Sequence, residues 1–400
     1  MSKRMTPTTR KQWLAEKQRN IKRDAPAQRE LDFSAIQTTI TDEVFERLFL
    51  NLFLEICELV QDGFGDPVVT GRGSLWVQKY SAAFYNLVRT VARPGSDESQ
   101  WDTLLSDGSQ RCALLQGVVL KALEKNVFAK LLFGATPEHN KLLSTEDETL
   151  INVEGFKRTH LRAETNKVYL QSSRNRIPPH FWDEVDRVSA QIMRMLLPLY
   201  ATFGNYTEPG TRDQLSTYQS LHDIVAHAAW LSVAFSLSPK IVRFDWVKPG
   251  ELYRFEHVSV GTEVDEEGHR NNRGEPRRQR IMICAAPKVI IHSRSTRGGK
   301  TRYTIMKPRV VCYFGRRKDE DDKMTLISLD QHIRAARSSS RGFFKSFFWC
   351  MVTALLILAI LYWAWEVRMG SARGFLARRL GKWSVMRSRA SGFNMMRKFA

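Results

Sequence analysis

From Phe347 to Trp365 the chain reads FFWCMVTALLILAILYWAW, nineteen residues without a charge in which Thr353 is the only conventional polar side chain. As a helix it would be about 29 Å long, close to the roughly 30 Å of a bilayer's hydrocarbon core. Its nine Phe, Val, Leu and Ile residues, at about −0.3 to −0.6 kcal/mol each, favour insertion by roughly 3 to 5 kcal/mol. Aromatic rings gather at both ends: Phe343, Phe344, Phe347, Phe348 and Trp349 before, Tyr362, Trp363 and Trp365 after. Such rings prefer the headgroup level. A core helix of a soluble protein would need a large enclosing domain, whereas the thirty-five residues that follow are mostly polar and basic. The run therefore predicts a single transmembrane helix over 347–365.

Its flanking charge does not orient it. Arg334, Arg337, Arg341 and Lys345 precede it, and Arg368, Arg373, Arg378, Arg379 and Lys382 follow, four against five. The first thirty residues lack the apolar core of a secretory signal. The expectation is a cytosolic body with residues 366–400 across the membrane. This late anchor resembles the layout of tail-anchored proteins, and cations on both sides of a short span resemble mitochondrial outer-membrane anchors, with endoplasmic reticulum membranes the alternative. Phe375, Leu376, Leu380, Trp383 and Met386 could form an apolar stripe along an interfacial helix. A disordered basic tail is the other reading of 366–400.

The formal charge of +19 is uneven. Residues 1–30, 267–318 and 366–400 carry +6, +13 and +8, so the rest of the chain is acidic overall. With 43% hydrophobic residues there is ample material for a core. Cys57, Cys112, Cys284, Cys312 and Cys350 are scattered and odd in number, which suits reduced thiols and not a disulfide framework.

Apolar periodicity organises residues 34–238 as helices. Ser34 and Gln37 form a capping box ahead of Ile36, Ile40, Val44, Leu48, Leu52, Ile56 and Leu59. A second helix is expected over 74–92. A third, about 109–133, should stop at Gly134. Residues 138–175 read as polar and irregular. After Pro178-Pro179 a long amphipathic helix begins, which Pro198 should kink or end early. Thr211 and Gln214 cap a last helix running to about Leu237.

At Pro239 the pattern changes to short β-like runs: 241–247, 252–260, 280–284, 288–292, 302–306 and 309–314. The predicted fold is mainly α. A basic arm (1–33) and a helical domain (34–238) precede a small antiparallel β-rich module (239–326). A juxtamembrane linker (327–346), the span (347–365) and a basic tail (366–400) complete the chain.

No motif for catalysis, cofactor or metal survives inspection. His222 and His227 are five residues apart, about 140° around a helix, where a metal pair needs four. Gly298-Gly299-Lys300-Thr301 ends like a phosphate-binding loop, but Arg294 stands where its first glycine belongs. The Glu263–Glu267 cluster lacks calcium-loop spacing. Asn205-Tyr206-Thr207 is a glycosylation sequon that a cytosolic body would never present to the transferase.

The β region is more suggestive. Arg277, Arg278, Arg280, Lys288, Arg294, Arg297, Lys300, Arg302 and Lys307 lie near Tyr303, Tyr313 and Phe314. Cations among aromatics suit a polyanion, either anionic phospholipid beside a bilayer or nucleic acid, and a plain solvated surface is the other reading. Arg341, Lys345, Arg368, Arg378, Arg379 and Lys382 are the membrane-flanking cations. The leading expectation is a single-pass adaptor with a protein partner. A membrane-tethered enzyme and a tethered nucleic-acid binder are the alternatives.

Overall fold

The computed structural model describes residues 26–35, 40–65, 74–93, 100–203, 214–260, 279–294, 299–314, 327–338 and 351–362. The helical part opens with α1 (Asp42–Phe64), a 3-10 turn (Leu75–Val77), α2 (Ala82–Val91) and α3 (Gln100–Ser106). Next come α4 (Gly108–Leu123), which continues into one π-helical turn (Glu124–Phe128), α5 (Pro137–Thr149) and α6 (Gly155–Ser172). Two longer helices follow, α7 (Phe181–Phe203) and α8 (Gln214–Ser236). The strands are β1 (Ile241–Asp245), β2 (Val258–Ser259), β3 (Gln279–Ala286), β4 (Lys288–Arg294), β5 (Lys300–Met306) and β6 (Arg309–Phe314). Residues 329–338 (α9) and 351–362 (α10) are helical. The fold is thus mostly helical with small, mainly antiparallel sheets. Met1–Ile333 and Arg334–Ala400 fall into two compact units.

Helix α1 starts later than its sequence suggests. Thr41 caps it, its hydroxyl accepting the Val44 amide at 3.4 Å. Ser34 sits instead in a turn where Asp32 accepts the amides of Ser34 (2.8 Å) and Ala35 (3.3 Å), and Gln37 lies outside the described residues. The buried stripe is Phe45, Phe49, Leu52, Phe53, Ile56 and Leu59, while Val44 and Leu48 are only half-buried. Large rings at 45, 49 and 53 turn the helix to bury themselves, since they remove the most apolar area from water.

Helix α8 is the centre of the body, lying against α1, α6, α7 and the π-helical turn. It is buried all round from Ile224 to Ala234, as a helix at the middle of a core must be. Its predicted cap Thr211 lies outside the described residues. Helix α4 is the second inner element. At Gly117 it approaches β3 so closely that a Cβ would stand 2.6 Å from the Cys284 carbonyl oxygen.

Three expectations for the helices need correction. Residues 138–175 are not irregular: they form α5 and α6. Thr136 caps α5, and Pro137 occupies its first turn. The apolar stripe is faint because the inward positions include His139, Thr159 and Asn166 beside Leu143, Ala163 and Leu170. Thr159 donates to the Gly155 carbonyl of its own helix at 2.8 Å, and the other two polar groups bond each other. His139 Nε2 meets Asn166 Oδ1 at 3.0 Å, and Asn166 Nδ2 donates to the Ser236 carbonyl at 3.2 Å. The second concerns Pro198: of the two expected effects, a kink or an early end, the early end is not seen, since α7 runs on to Phe203. Gly134 does not end α4 directly: the helical turns stop at Phe128, and Gly134 sits in a later turn at φ +73° with the backbone of Phe181 against it.

The β segment is one long, bent hairpin. The sheets have strand orders β1-β4-β5 and β2-β6-β3. Yet β3 pairs with β6 and β4 with β5 in nearly continuous register, from Gln279↔Phe314 to Arg294↔Lys300. Between Ala286↔Arg309 and Val289↔Met306 that register sets Pro287 opposite Pro308. Neither can donate to a ladder, so the hairpin bends there and splits into two sheets. Met282, Ile283, Ala285, Val289 and Ile291 join the same core as the helices. The expected strand over 252–260 shrinks to Val258–Ser259, parallel to β6, with an isolated bridge from Leu252 to Arg280. Residues Arg254–His257 form a turn instead, closed by His257 N–H to the Arg254 carbonyl at 2.9 Å.

Helix α10 covers twelve residues of the predicted span, and 347–350 and 363–365 lie outside the described residues. Among the described residues no helix is long and apolar enough to cross a membrane.

Candidate functional site

The sheet β1-β4-β5 has two unlike faces. Inward, Phe244 packs 5.8 Å from Phe49 and 5.1 Å from Phe128, and Tyr303 donates to Glu46 of α1. That bond to a carboxylate pushes the Tyr303 phenol up to about 12, so it stays a donor. Alternation sends Arg243, Lys288, His292, Arg294, Lys300 and Arg302 to the opposite face. Register places Arg302 across from His292, and Lys300 across from Arg294. From Lys288 to Arg294 this basic strip is about 20 Å long, and Ile290, buried on the same face, interrupts it.

Its cations are loosely held. Lys288 meets Glu256 at 3.0 Å, and Arg243 pairs with Asp245. Arg294 and Lys300 share the single carboxylate of Glu154, at 3.9 and 3.8 Å. Arg302 and Lys307 are exposed, with no ion pair among the described residues. Exposed pairs of this kind are worth about 0–1 kcal/mol, so an incoming anion displaces them at little cost.

Arg280 departs from the expected polyanion surface. It is only 8% exposed, and its Nη1 donates to the Gly250 carbonyl at 2.8 Å. On a strand buried along both faces, its guanidinium serves the backbone. Arg277, Arg278 and Arg297 lie outside the described residues, as do Arg341, Lys345, Arg368, Arg378, Arg379 and Lys382.

The histidines of α8 diverge. His222 Nε2 meets Asp186 at 2.9 Å, beside the Trp182 ring. His227 Nδ1 meets Glu55 at 3.1 Å, and Arg29 grips the same carboxylate at 3.0 Å. Among the described residues no three ligating side chains could hold a metal ion. Burial would raise the Glu55 pKa, but the bonds from His227 and Arg29 outweigh it and hold the carboxyl below 4.5. Stability from this clasp is therefore complete above the unfolded value and lost as pH falls through the lower folded one. Urea midpoints should drop more steeply below pH 4.5 in the unaltered chain than in Glu55→Gln. Parallel curves would remove Glu55 from that role.

One cluster has no signal in the sequence, its members being up to 258 positions apart. Ser74 donates to Asp102, and His332 Nε2 lies 3.3 Å from Asp102 and 3.5 Å from the Ser74 hydroxyl. A nucleophile would need the imidazole between serine and carboxylate, one ring nitrogen for each. Here one nitrogen meets both, and the serine hydroxyl also accepts the Trp76 amide. The cluster is a clasp that fastens α9 to α3. Thiol chemistry is equally disfavoured: burial raises Cys57 and Cys312 to about 11 and Cys284 to about 12.

Two clefts of about 380 Å³ remain. The first lies along β1 over Phe128, Phe235 and Phe244, with Lys130, Arg162 and Lys240 at its rim. Its one carboxylate, Glu124, is taken by Lys121 (2.6 Å) and the Trp246 indole (2.7 Å). The second, between α2, α4 and α7, is lined by Asn86, Lys125, Gln191, Arg194 and Met195 among others, with no acidic residue or histidine. Neither cleft offers a base paired with an acid. Comparison with family models, curated proteins and solved structures finds no match.

Proposed function

We propose that this chain is a membrane-anchored interaction protein, held by a single helix over 347–365 and resting its basic sheet face on anionic headgroups. The observation that carries the reading is α10. Met351, Leu355, Leu356, Ile357, Leu358, Ile360, Leu361 and Tyr362 are all 51–63% exposed. Four of these, 355–358, are consecutive and so point in every direction around the helix. A helix apolar all round must be enclosed, by protein as α8 is or by lipid. Among the described residues α10 keeps these side chains exposed, and in this reading lipid encloses them.

The lipid contact is supported by the strip of Arg243, Lys288, Arg294, Lys300 and Arg302, whose weak ion pairs leave it free to meet phosphates. We place the body on the cytosolic side of an endoplasmic reticulum or mitochondrial outer membrane. Free, buried thiols at Cys112 and Cys284 suit that reducing side.

Residues 1–338 should sediment with phosphatidylserine vesicles in a salt-sensitive manner. The triple variant Arg294→Gln, Lys300→Gln, Arg302→Gln should bind about a hundredfold more weakly, at about 1 kcal/mol per cation. Equal, salt-insensitive binding by both would count against the basic face.

A further inference from the structure

Phe255 is 92% exposed, far beyond any other large apolar side chain reported for the folded body. The turn that carries it is firmly built. The Arg254 amide donates to His257 Nδ1 at 3.1 Å, and the Tyr253 hydroxyl donates to the His257 carbonyl at 3.1 Å. Both legs are tied to the hairpin. Tyr253 N–H reaches the Gln279 carbonyl (3.0 Å), and Val258 N–H reaches that of Pro308 (2.9 Å). Lys288 holds Glu256 at 3.0 Å. The ring therefore cannot fold back without breaking bonds. Leu252 and Val258, 38% and 39% exposed, widen the apolar tip at its base.

We infer that the Arg254–His257 turn is a membrane wedge, with Phe255 entering the headgroup–acyl boundary of an anionic leaflet. Three observations point to lipid as the occupant. Arg254 lies in the turn itself, and Lys288 pairs with Glu256 beside Phe255. Lys307 precedes Pro308, whose carbonyl takes the Val258 amide, so the tip carries three cations against one carboxylate to meet phosphates. Lys288 also begins the basic strip, so strip and wedge form one surface. The same chain carries α10, whose uncovered apolar side chains call for a bilayer. A rigid aromatic with cations beside it suits that boundary, where rings and phosphates are neighbours. The inference rests on the membrane reading above and names the side chain through which the body would grip the surface.

The test uses the full chain with Phe255→Cys carrying a nitrobenzoxadiazole dye, reconstituted into phosphatidylcholine vesicles with and without phosphatidylserine. Unaltered protein labelled in parallel reports the native cysteines. The expected result is a blue-shifted emission in the anionic vesicles, quenched by shallow doxyl-labelled lipid and protected from aqueous iodide. An alkaline wash of the same vesicles reports anchoring separately. A retained chain whose dye stays open to iodide overturns the wedge and leaves the anchor standing. A chain washed out overturns both. A blue shift already present without vesicles would assign Phe255 to a protein pocket and overturn the wedge as well.

Discussion

Replacing both Leu355 and Leu358 with arginine should abolish insertion of this chain into membranes. The two positions lie near the midpoint of the 347–365 run, three residues apart and so on neighbouring sides of the helix. Each exchange replaces a contribution of about −0.3 to −0.6 kcal/mol by one of about +2.5 to +3.5 kcal/mol. Together they cost about 6 to 8 kcal/mol, more than the roughly 3 to 5 kcal/mol that favours the span. After a high-salt wash to strip the basic face, the unaltered chain should float with microsomes and the double variant should stay at the bottom of the gradient. Leu355→Ile with Leu358→Ile should float normally. A double-arginine chain that still floats would mean that another segment holds the membrane.

The second large effect concerns the folded body. Arg111→Met should destabilise it by about 3–5 kcal/mol, read from urea unfolding of the full chain. Arg111 is fully buried. Its Nε donates to the Phe64 carbonyl at 2.6 Å, and its Nη1 to those of Leu105 (2.7 Å) and Ser106 (3.4 Å). Phe64 ends α1, and Leu105-Ser106 end α3. One guanidinium thus closes two helix C-termini, whose carbonyls lack partners within their own helices and carry the negative end of the dipole. Methionine fills similar space but strands buried acceptors, each costing about 1–3 kcal/mol. Arg111→Lys should fall between the two, because an ammonium cannot span both ends in the guanidinium's fork geometry. A loss below about 0.5 kcal/mol for Arg111→Met would show that water reaches those carbonyls.

Much of the fold is legible in the sequence where burial is apolar and periodic. Helices α7 and α8 and the strands of the hairpin follow their patterns closely, and α4 begins where expected but ends with its π turn at Phe128. Legibility fails where polar groups face inward. Helices α5 and α6 hide behind His139, Thr159 and Asn166, which read as surface until the bond between His139 and Asn166 and that of Thr159 to its own helix backbone are seen. Strand-like alternation in Leu252–Val260 conceals a turn, because Tyr253, His257 and the hairpin backbone outbid a ladder. Arg280 reads as one more surface cation, and only its place on a doubly covered strand turns it inward. The clasps of Glu55 with His227 and of Asp102 with His332 join positions 172 and 230 apart. No local pattern can announce them. The basic face was legible as composition, yet which cations share it depended on the register of β4 with β5.

The anchor is the claim on which the rest depends, and extraction with strongly alkaline carbonate tests it most directly. That treatment opens vesicles and strips proteins held by headgroup charge, while a helix enclosed by acyl chains stays. The full chain, expressed in cells and recovered with membranes, should remain in the pellet and leave only with detergent. Release into the alkaline supernatant would contradict the account. Residues 347–365 would then have to be covered by protein.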